Sequence, residues 1–167
     1  MRAADEEEYR QYVHVRLEQL RRTAYVLCRD WHLADDLVSI TITKLYRHWH
    51  RIRQLDHVDA YVRGMLTNAW LDERRRPWHR EDSTDQPPDR PHLDGAPPDR
   101  PSLLRLLGTL PPRQRAVVVS RFYCDLSITQ TAEALGISEG AVKSLASRGL
   151  AALRIVLNDR PSWQEAL

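Results

Sequence analysis

Apolar residues recur at helical spacing along most of this chain, and one long stretch has none of that rhythm. Tyr9, Val13, Leu17, Leu20, Ala24 and Leu27 step by three or four and line one face of a helix. Leu37, Thr41, Leu45 and Trp49, reinforced by Val38 and Ile42, draw a second stripe, and the run CRDWHLAD between the two reads as a short connection. A third helix is expected from Asp59, whose side chain suits an N-cap, to about Arg75, with Val62, Met65, Leu66 and Ala69 on its apolar face. Nothing alternates convincingly with a period of two, so strands are not expected.

The rhythm returns after residue 101. Ser102 is placed to cap a short helix carrying Leu103, Leu104, Leu106, Leu107 and Leu110. Pro111 and Pro112 stop it and open the next helix, since proline suits a first helical turn; that helix is expected to reach about Tyr123. Ser127 with Gln130 three residues on spells a capping box. Gly136 closes that helix, Ser138 caps the last one, and Asn158 and Pro161 mark its end.

Between the two helical blocks, residues 81–101 hold six prolines and six acidic residues against two arginines. Without periodic apolar residues this segment cannot bury a core, and a structureless loop of that length is uncommon inside a compact domain. It reads as a linker of about 60 Å reach if extended at about 3.1 Å per residue. The expected fold is all-α: a helical bundle over residues 1–80, the Pro/Asp-rich linker over 81–101, a second small helical domain over 102–158 and a tail over 159–167.

The net charge of +2 over 167 residues does not by itself point to nucleic acid, but the arginines are clustered. Cys28 and Cys124, far apart and each among apolar neighbours, offer neither a disulfide framework nor a CxxC metal pattern and read as core thiols. The acidic start MRAADEEEYR lacks the apolar run of a signal peptide, and no apolar stretch approaches the ~18 residues of a membrane span. A cytoplasmic protein without membrane insertion is expected.

Two segments carry candidate chemistry. Residues 127–154, SITQTAEALGISEGAVKSLASRGLAALR, have the form of a helix-turn-helix. Ala132 is small where the two helices approach, Gly136 sits where the turn needs positive φ, and Leu135, Ile137, Val142 and Leu145 are apolar where the helices pack. In such a unit the second helix enters the major groove, which turns Glu139, Lys143, Ser144, Ser147 and Arg148 outward. Lys143 and Arg148 can reach guanine edges or phosphate, Ser144 and Ser147 can bond base edges or backbone, and the free N–H groups from Ser138 to Ala141 favour a phosphate. Gly140 would let the backbone come close to DNA. The second segment, residues 60–80, interleaves Arg63, Asn68, Asp72, Arg74, Arg75, Arg76 and Arg80 with Tyr61, Trp70 and Trp78. Cations for phosphates and rings for unstacked bases suit a nucleic-acid surface.

Taken together these segments resemble the sigma-70 family, and within it the small extracytoplasmic-function (ECF) sigma factors, most closely an actinobacterial SigE-like subgroup. ADDLVSITITKLYRHW (34–49) is similar to the family's polymerase-binding helix, YVRGMLTNAWLDERRR (61–76) to its −10-recognition helix, and residues 110–154 to its −35-binding domain. The resemblance implies a factor that binds core RNA polymerase and directs initiation at promoters carrying −10 and −35 elements. It implies that Asp35, Asp36, Leu37, Val38, Thr41 and Tyr46 lie near the β′ clamp helices, and that residues 103–123 meet the β flap. It also implies that the loop from Arg53 to Asp59 captures a flipped −10 base, with His57 in contact, while Tyr61, Arg63, Asn68, Asp72, Arg74, Arg75 and Arg76 hold −10 DNA. Ser138, Gly140, Lys143, Ser144, Ser147 and Arg148 would then read the −35 element. An anti-sigma factor is a further implied partner; no cofactor or metal is. Ser39 and Ile40 stand where the family usually has Gln-Glu, and Leu145 where many members carry Arg.

Other classes fit less well. A repressor or activator using the same DNA-binding helix is the alternative, yet it needs a dimer interface and a sensor domain, and the N-terminal bundle offers neither a heptad repeat nor an obvious ligand pocket. An enzyme is disfavoured: Asp35 and Asp36 are adjacent and point apart on a helix, His48 and His50 share no face, and no HExxH, P-loop or GxSxG pattern is present.

Overall fold

A computed structural model describes residues 1–76 and 103–158. The linker, the tail, Trp78, Arg80 and Ser102 lie outside the described residues. Three helices come first: α1 (Ala3–Cys28), α2 (Trp31–Ile52) and α3 (Val58–Arg75). Four follow: α4 (Leu103–Gly108), α5 (Pro112–Val118), α6 (Ile128–Leu135) and α7 (Glu139–Asn158).

Local chemistry sets most boundaries. Arg29, at φ 60°, ends α1 in the left-handed region, and Asp30 starts α2 by accepting the His32 and Leu33 amides. Pro112 occupies the first turn of α5. Both arms of the Ser127–Gln130 capping box form, and Gly136, at φ 64°, closes α6. Three expectations change. The run CRDWHLAD is not a connection: only Arg29 and Asp30 lie between α1 and α2. α5 does not run as an α-helix to Tyr123; residues Val119–Tyr123 widen into a π-helical turn, with the Cys124 amide on the Val119 carbonyl. Asp59 is not an N-cap: α3 starts at Val58, and the Asp59 side chain reaches across to α1 instead.

α1, α2 and α3 bury Leu20, Ala24, Leu27, Leu37, Thr41, Leu45, Trp49, Val62, Leu66 and Trp70. Each large apolar side chain among them contributes about 1.5–3 kcal/mol on leaving water. Leu17, assigned to the inward stripe of α1, is exposed. Leu106, Leu107, Leu110, Ala116, Val118 and Leu153, from the second block, join the same core. The helical units flanking the linker are therefore packed on each other. A smaller core of Val117, Ala132 and Val142, flanked by Ile128, Leu135, Ile137 and Leu145, holds α6 and α7 together. Among the described residues no helix is long and apolar enough to cross a membrane.

Candidate nucleic-acid interface

The best-formed surface lies on α7. Ser138 accepts the Ala141 amide at 3.0 Å and fixes the first turn, while Thr129 of α6 donates to Glu139 at 2.8 Å across the turn. Val142 is fully buried, and Leu145 and Ala146 pack on the smaller core, so the opposite face must point to solvent. Lys143, Ser144, Ser147 and Arg148 all stand on that face and are exposed, as are Ser138 and Gly140. A side chain at Gly140 would meet nothing closer than the Ser138 Oγ at 3.9 Å, so packing does not demand glycine there. Gly149 differs: a Cβ would come within 2.7 Å of Val118, which lets α7 lie close on α5.

α3 presents a divided picture. Tyr61, Asp72, Arg74, Arg75 and Arg76 are exposed. Arg63 and Asn68 are half-buried and already engaged, Arg63 donating to the Cys124 carbonyl and Asn68 to the Ala134 carbonyl, each at 2.8 Å. Trp70 corrects the expectation of an exposed ring: it is 1% exposed, deep in the core. Its ring instead lies under the Arg115 guanidinium, at 5.2 Å.

Arg53 and His57 border a cleft of about 750 Å³, together with Tyr12, Arg16, Trp49, Asp59, Arg63, Tyr123 and Asp125. His57 is exposed at the start of α3. Arg53 forms ion pairs with Asp5 and Glu8 of α1, so an N-terminal acidic turn anchors this loop. The floor is held by Asp59, which accepts both Tyr12 Oη at 2.7 Å and a two-pronged contact from Arg16 at 3.0 and 2.9 Å. Burial opposes ionisation of the Asp59 carboxyl, but the hydrogen bonds from Arg16 and Tyr12 outweigh it and keep the group below the usual aspartate range.

On α2 the expected polymerase-facing set splits. Leu37, Val38 and Thr41 are buried, and Thr41 Oγ1 is spent on the Leu37 carbonyl, so these three build the core and cannot offer side chains to a partner. Asp35, Asp36 and Tyr46 are exposed. Asp35 pairs with Arg21 at 2.6 Å, which lowers its carboxyl, and Tyr46 packs edge-on against Tyr9.

Arg115 and the pair Asp5 and Glu8 are contributors that sequence reasoning missed. Arg115 is 7% exposed, and its guanidinium donates to the carbonyls of Leu27, Gly108 and Leu110. Burial, with Arg74 and Arg29 nearby, pulls its pKa down to about 10. An arginine leading straight into the apolar run AVVV is the available signal. Cys124 is buried and Cys28 half-buried, and burial raises both thiols, Cys28 to about 11.

The family model for sigma-70 region 2 matches residues 13–80, and that for sigma-70 region 4 matches residues 100–153. The RNA polymerase sigma-E factor of Streptomyces coelicolor is 37% identical over 149 residues, covering 88% of this chain and 84% of the relative. The sigma-E factor of Streptomyces avermitilis is 37% identical over 167 residues, covering 96% and 90%. The ECF RNA polymerase sigma factor SigM of Mycobacterium tuberculosis is 31% identical over 144 residues, covering 83% and 71%. Among solved structures, the sigma factor RpoE of Bartonella quintana, crystallised with the anti-sigma factor NepR, superposes with a TM-score of 0.75 at 24% identity, over 92% of this chain and 99% of that one; this likeness concerns the fold.

Proposed function

We propose a division of labour among the helices from this premise: the chain belongs to the sigma-70 family and is an extracytoplasmic-function sigma factor, which binds core RNA polymerase and directs promoter-specific initiation. Residues 1–80 form the unit that binds polymerase and engages the −10 element, 81–101 connect, and 102–158 form the unit that binds the −35 element. On α7, Lys143 and Arg148 contact guanine edges or phosphates, Ser144 and Ser147 bond base edges or backbone, and the turn at Ser138 and Gly140 seats a phosphate. On α3, Arg63, Asn68, Asp72, Arg74, Arg75 and Arg76 hold −10 DNA, with Tyr61 beside them. The cleft beside Arg53 and His57 receives an unstacked base.

Polymerase contact on α2 falls to Asp35, Asp36 and Tyr46, the members of that set with exposed side chains. Leu37, Val38 and Thr41 act beneath them by fixing the helix. The α4–α5 segment meets the β flap. The chain works in the cytoplasm beside polymerase and acts as a stoichiometric factor, not as a catalyst. By analogy with the Bartonella protein, an anti-sigma factor is a partner of this chain too.

The observation that carries this reading is the one-sided exposure of Lys143, Ser144, Ser147 and Arg148 on a helix whose other face is locked to α6. The matches to regions 2 and 4, in order along one chain, also speak against a regulator that merely borrows the DNA-binding helix. Run-off transcription with purified core polymerase across a promoter library tests it. Discrete transcripts that depend on this chain are expected; no transcription above core alone would overturn the reading.

A further inference from the structure

Residues 53–57 join α2 to α3 beside the cleft assigned to an unstacked −10 base, and α1 grips this loop at both ends. At its entry Arg53 pairs with Asp5 and, at 2.8 Å, with Glu8. At its exit Asp59 accepts Tyr12 and both prongs of Arg16. Asp5, Glu8, Tyr12 and Arg16 step by three, four and four, so one polar face of α1 supplies all four. The helix is a firm base for them. Tyr9 and Tyr12 pack on Trp49 of α2 with ring centroids 5.8 and 5.2 Å apart, and Tyr9 donates to the Ile42 carbonyl. Between the two grips the side chains of Gln54, Leu55, Asp56 and His57 are exposed, so the placement of the loop rests on its ends. Arg53 is poorly suited to hold a phosphate, because two carboxylates already meet its charge and its side chain is only 32% exposed. Two anions beside a nucleic-acid cleft weaken binding by charge alone, which leaves their presence there to be explained.

We propose that Asp5 and Glu8 are positioning residues for −10 base selection: through Arg53 they hold the loop, and His57 on it, in the form that admits one base and rejects others. This rests on the assignment of the cleft to an unstacked base given above. Arg53 then acts on the loop and not on the nucleic acid. Selection requires site groups held to within about 0.5 Å, so a loop released at one end still contacts the strand but discriminates less between bases.

Holoenzyme carrying the double variant Asp5→Asn/Glu8→Gln tests this. Both substitutions keep the shape of the side chain and remove its charge. Run-off transcription is measured from the most active library promoter and from its single-base variants across the −10 and −35 elements. The parent should prefer one base strongly at one −10 position. The double variant should flatten that preference about tenfold, the worth of one base contact, and keep the −35 preferences of the parent. Arg53→Gln should flatten the same position by the same factor, and combining all three substitutions should add nothing, because the three side chains act as one unit. If Arg53 were a phosphate ligand restrained by the acids, the sign would reverse: removing two anions would raise transcription and leave the preference whole. That outcome overturns the positioning role, and so do losses that add. A uniform fall on every promoter, −35 variants included, assigns the acids to folding and overturns it too. A parent with a −10 preference and a double variant that retains it sink the positioning role alone. A parent that transcribes with no −10 preference sinks the assignment of the cleft and the positioning role with it, and a parent that does not transcribe sinks both together with the sigma-factor reading.

Discussion

Arg115 takes a charge into the interior and meets carbonyl oxygens there, those of Leu27, Gly108 and Leu110. A desolvated cation weakens a fold unless every donor finds an acceptor, and removing it strands the acceptors. Arg115→Ala is expected to cost about 3 kcal/mol in urea unfolding followed by circular dichroism. Arg115→Lys should recover only part, because an ammonium cannot match the planar fork. A loss below about 0.5 kcal/mol for the alanine variant would mean that water satisfies the carbonyls instead. Asp59 is the opposite case, an anion whose partners Arg16 and Tyr12 hold its carboxyl low. Because the folded pKa lies below the unfolded one, the stabilisation is complete above the unfolded value near about 4 and is lost as pH falls through the folded value. With the pair partly exposed, Asp59→Asn should cost only about 1 kcal/mol at neutral pH. That penalty should shrink towards zero in unfolding curves taken well below the ordinary aspartate pKa. A penalty that held constant down the acid range would assign the effect to packing.

On the proposed reading the helix-turn-helix divides its residues between stability and contact, and the two can be separated. Ser127→Ala removes one arm of the capping box and should lower stability by about 1 kcal/mol while leaving the face of α7 intact. Lys143→Ala and Arg148→Ala should do the reverse: unchanged unfolding, with −35 duplex binding weakened by about 1–3 kcal/mol if the side chain meets a base edge. Titrations at several salt concentrations discriminate further, since a lost phosphate contact reduces the salt slope by about one. Either variant unfolding like a core mutant would show that its residue supports the helix. The same helices show what a sequence can reveal. Caps and stops act over three or four residues, so Ser127–Gln130, Pro112, Gly136 and Ser138 are legible in the sequence alone. Inward and outward faces are harder to tell wherever a residue suits both. Trp70, next to an arginine run, has the setting of a stacking ring and is core; Leu37, Val38 and Thr41 have the pattern of a docking face and are core as well. Asp59 suits a cap, but Tyr12 and Arg16, more than forty residues away, claim it. Such contacts depend on which helices meet, and local pattern carries no trace of that.

At the scale of the whole molecule, the linker composition suggests independent units, whereas the packed halves share a core through Leu106, Leu107, Leu110 and Arg115. The two findings are compatible if the segment matters when both units are on promoter DNA. Both DNA-reading surfaces must reach their elements at once, and the segment between them limits the span. Residues 81–101, with six prolines, can bridge about 60 Å when extended at about 3.1 Å per residue, approaching two turns of duplex at about 34 Å each. Deleting about ten of these residues would cut the reach to about 34 Å, a single turn. Such a deletion leaves residues 103–158 untouched, so duplex binding through α7, if it occurs as proposed, should persist at its original affinity. Run-off transcription from promoters of normal spacing should fall, and replacing the deleted residues with an equal number of Gly and Ser should restore much of it, since a flexible chain keeps most of the reach though not the stiffness. Full activity of the shortened chain would show that the two units do not need to bind their elements simultaneously.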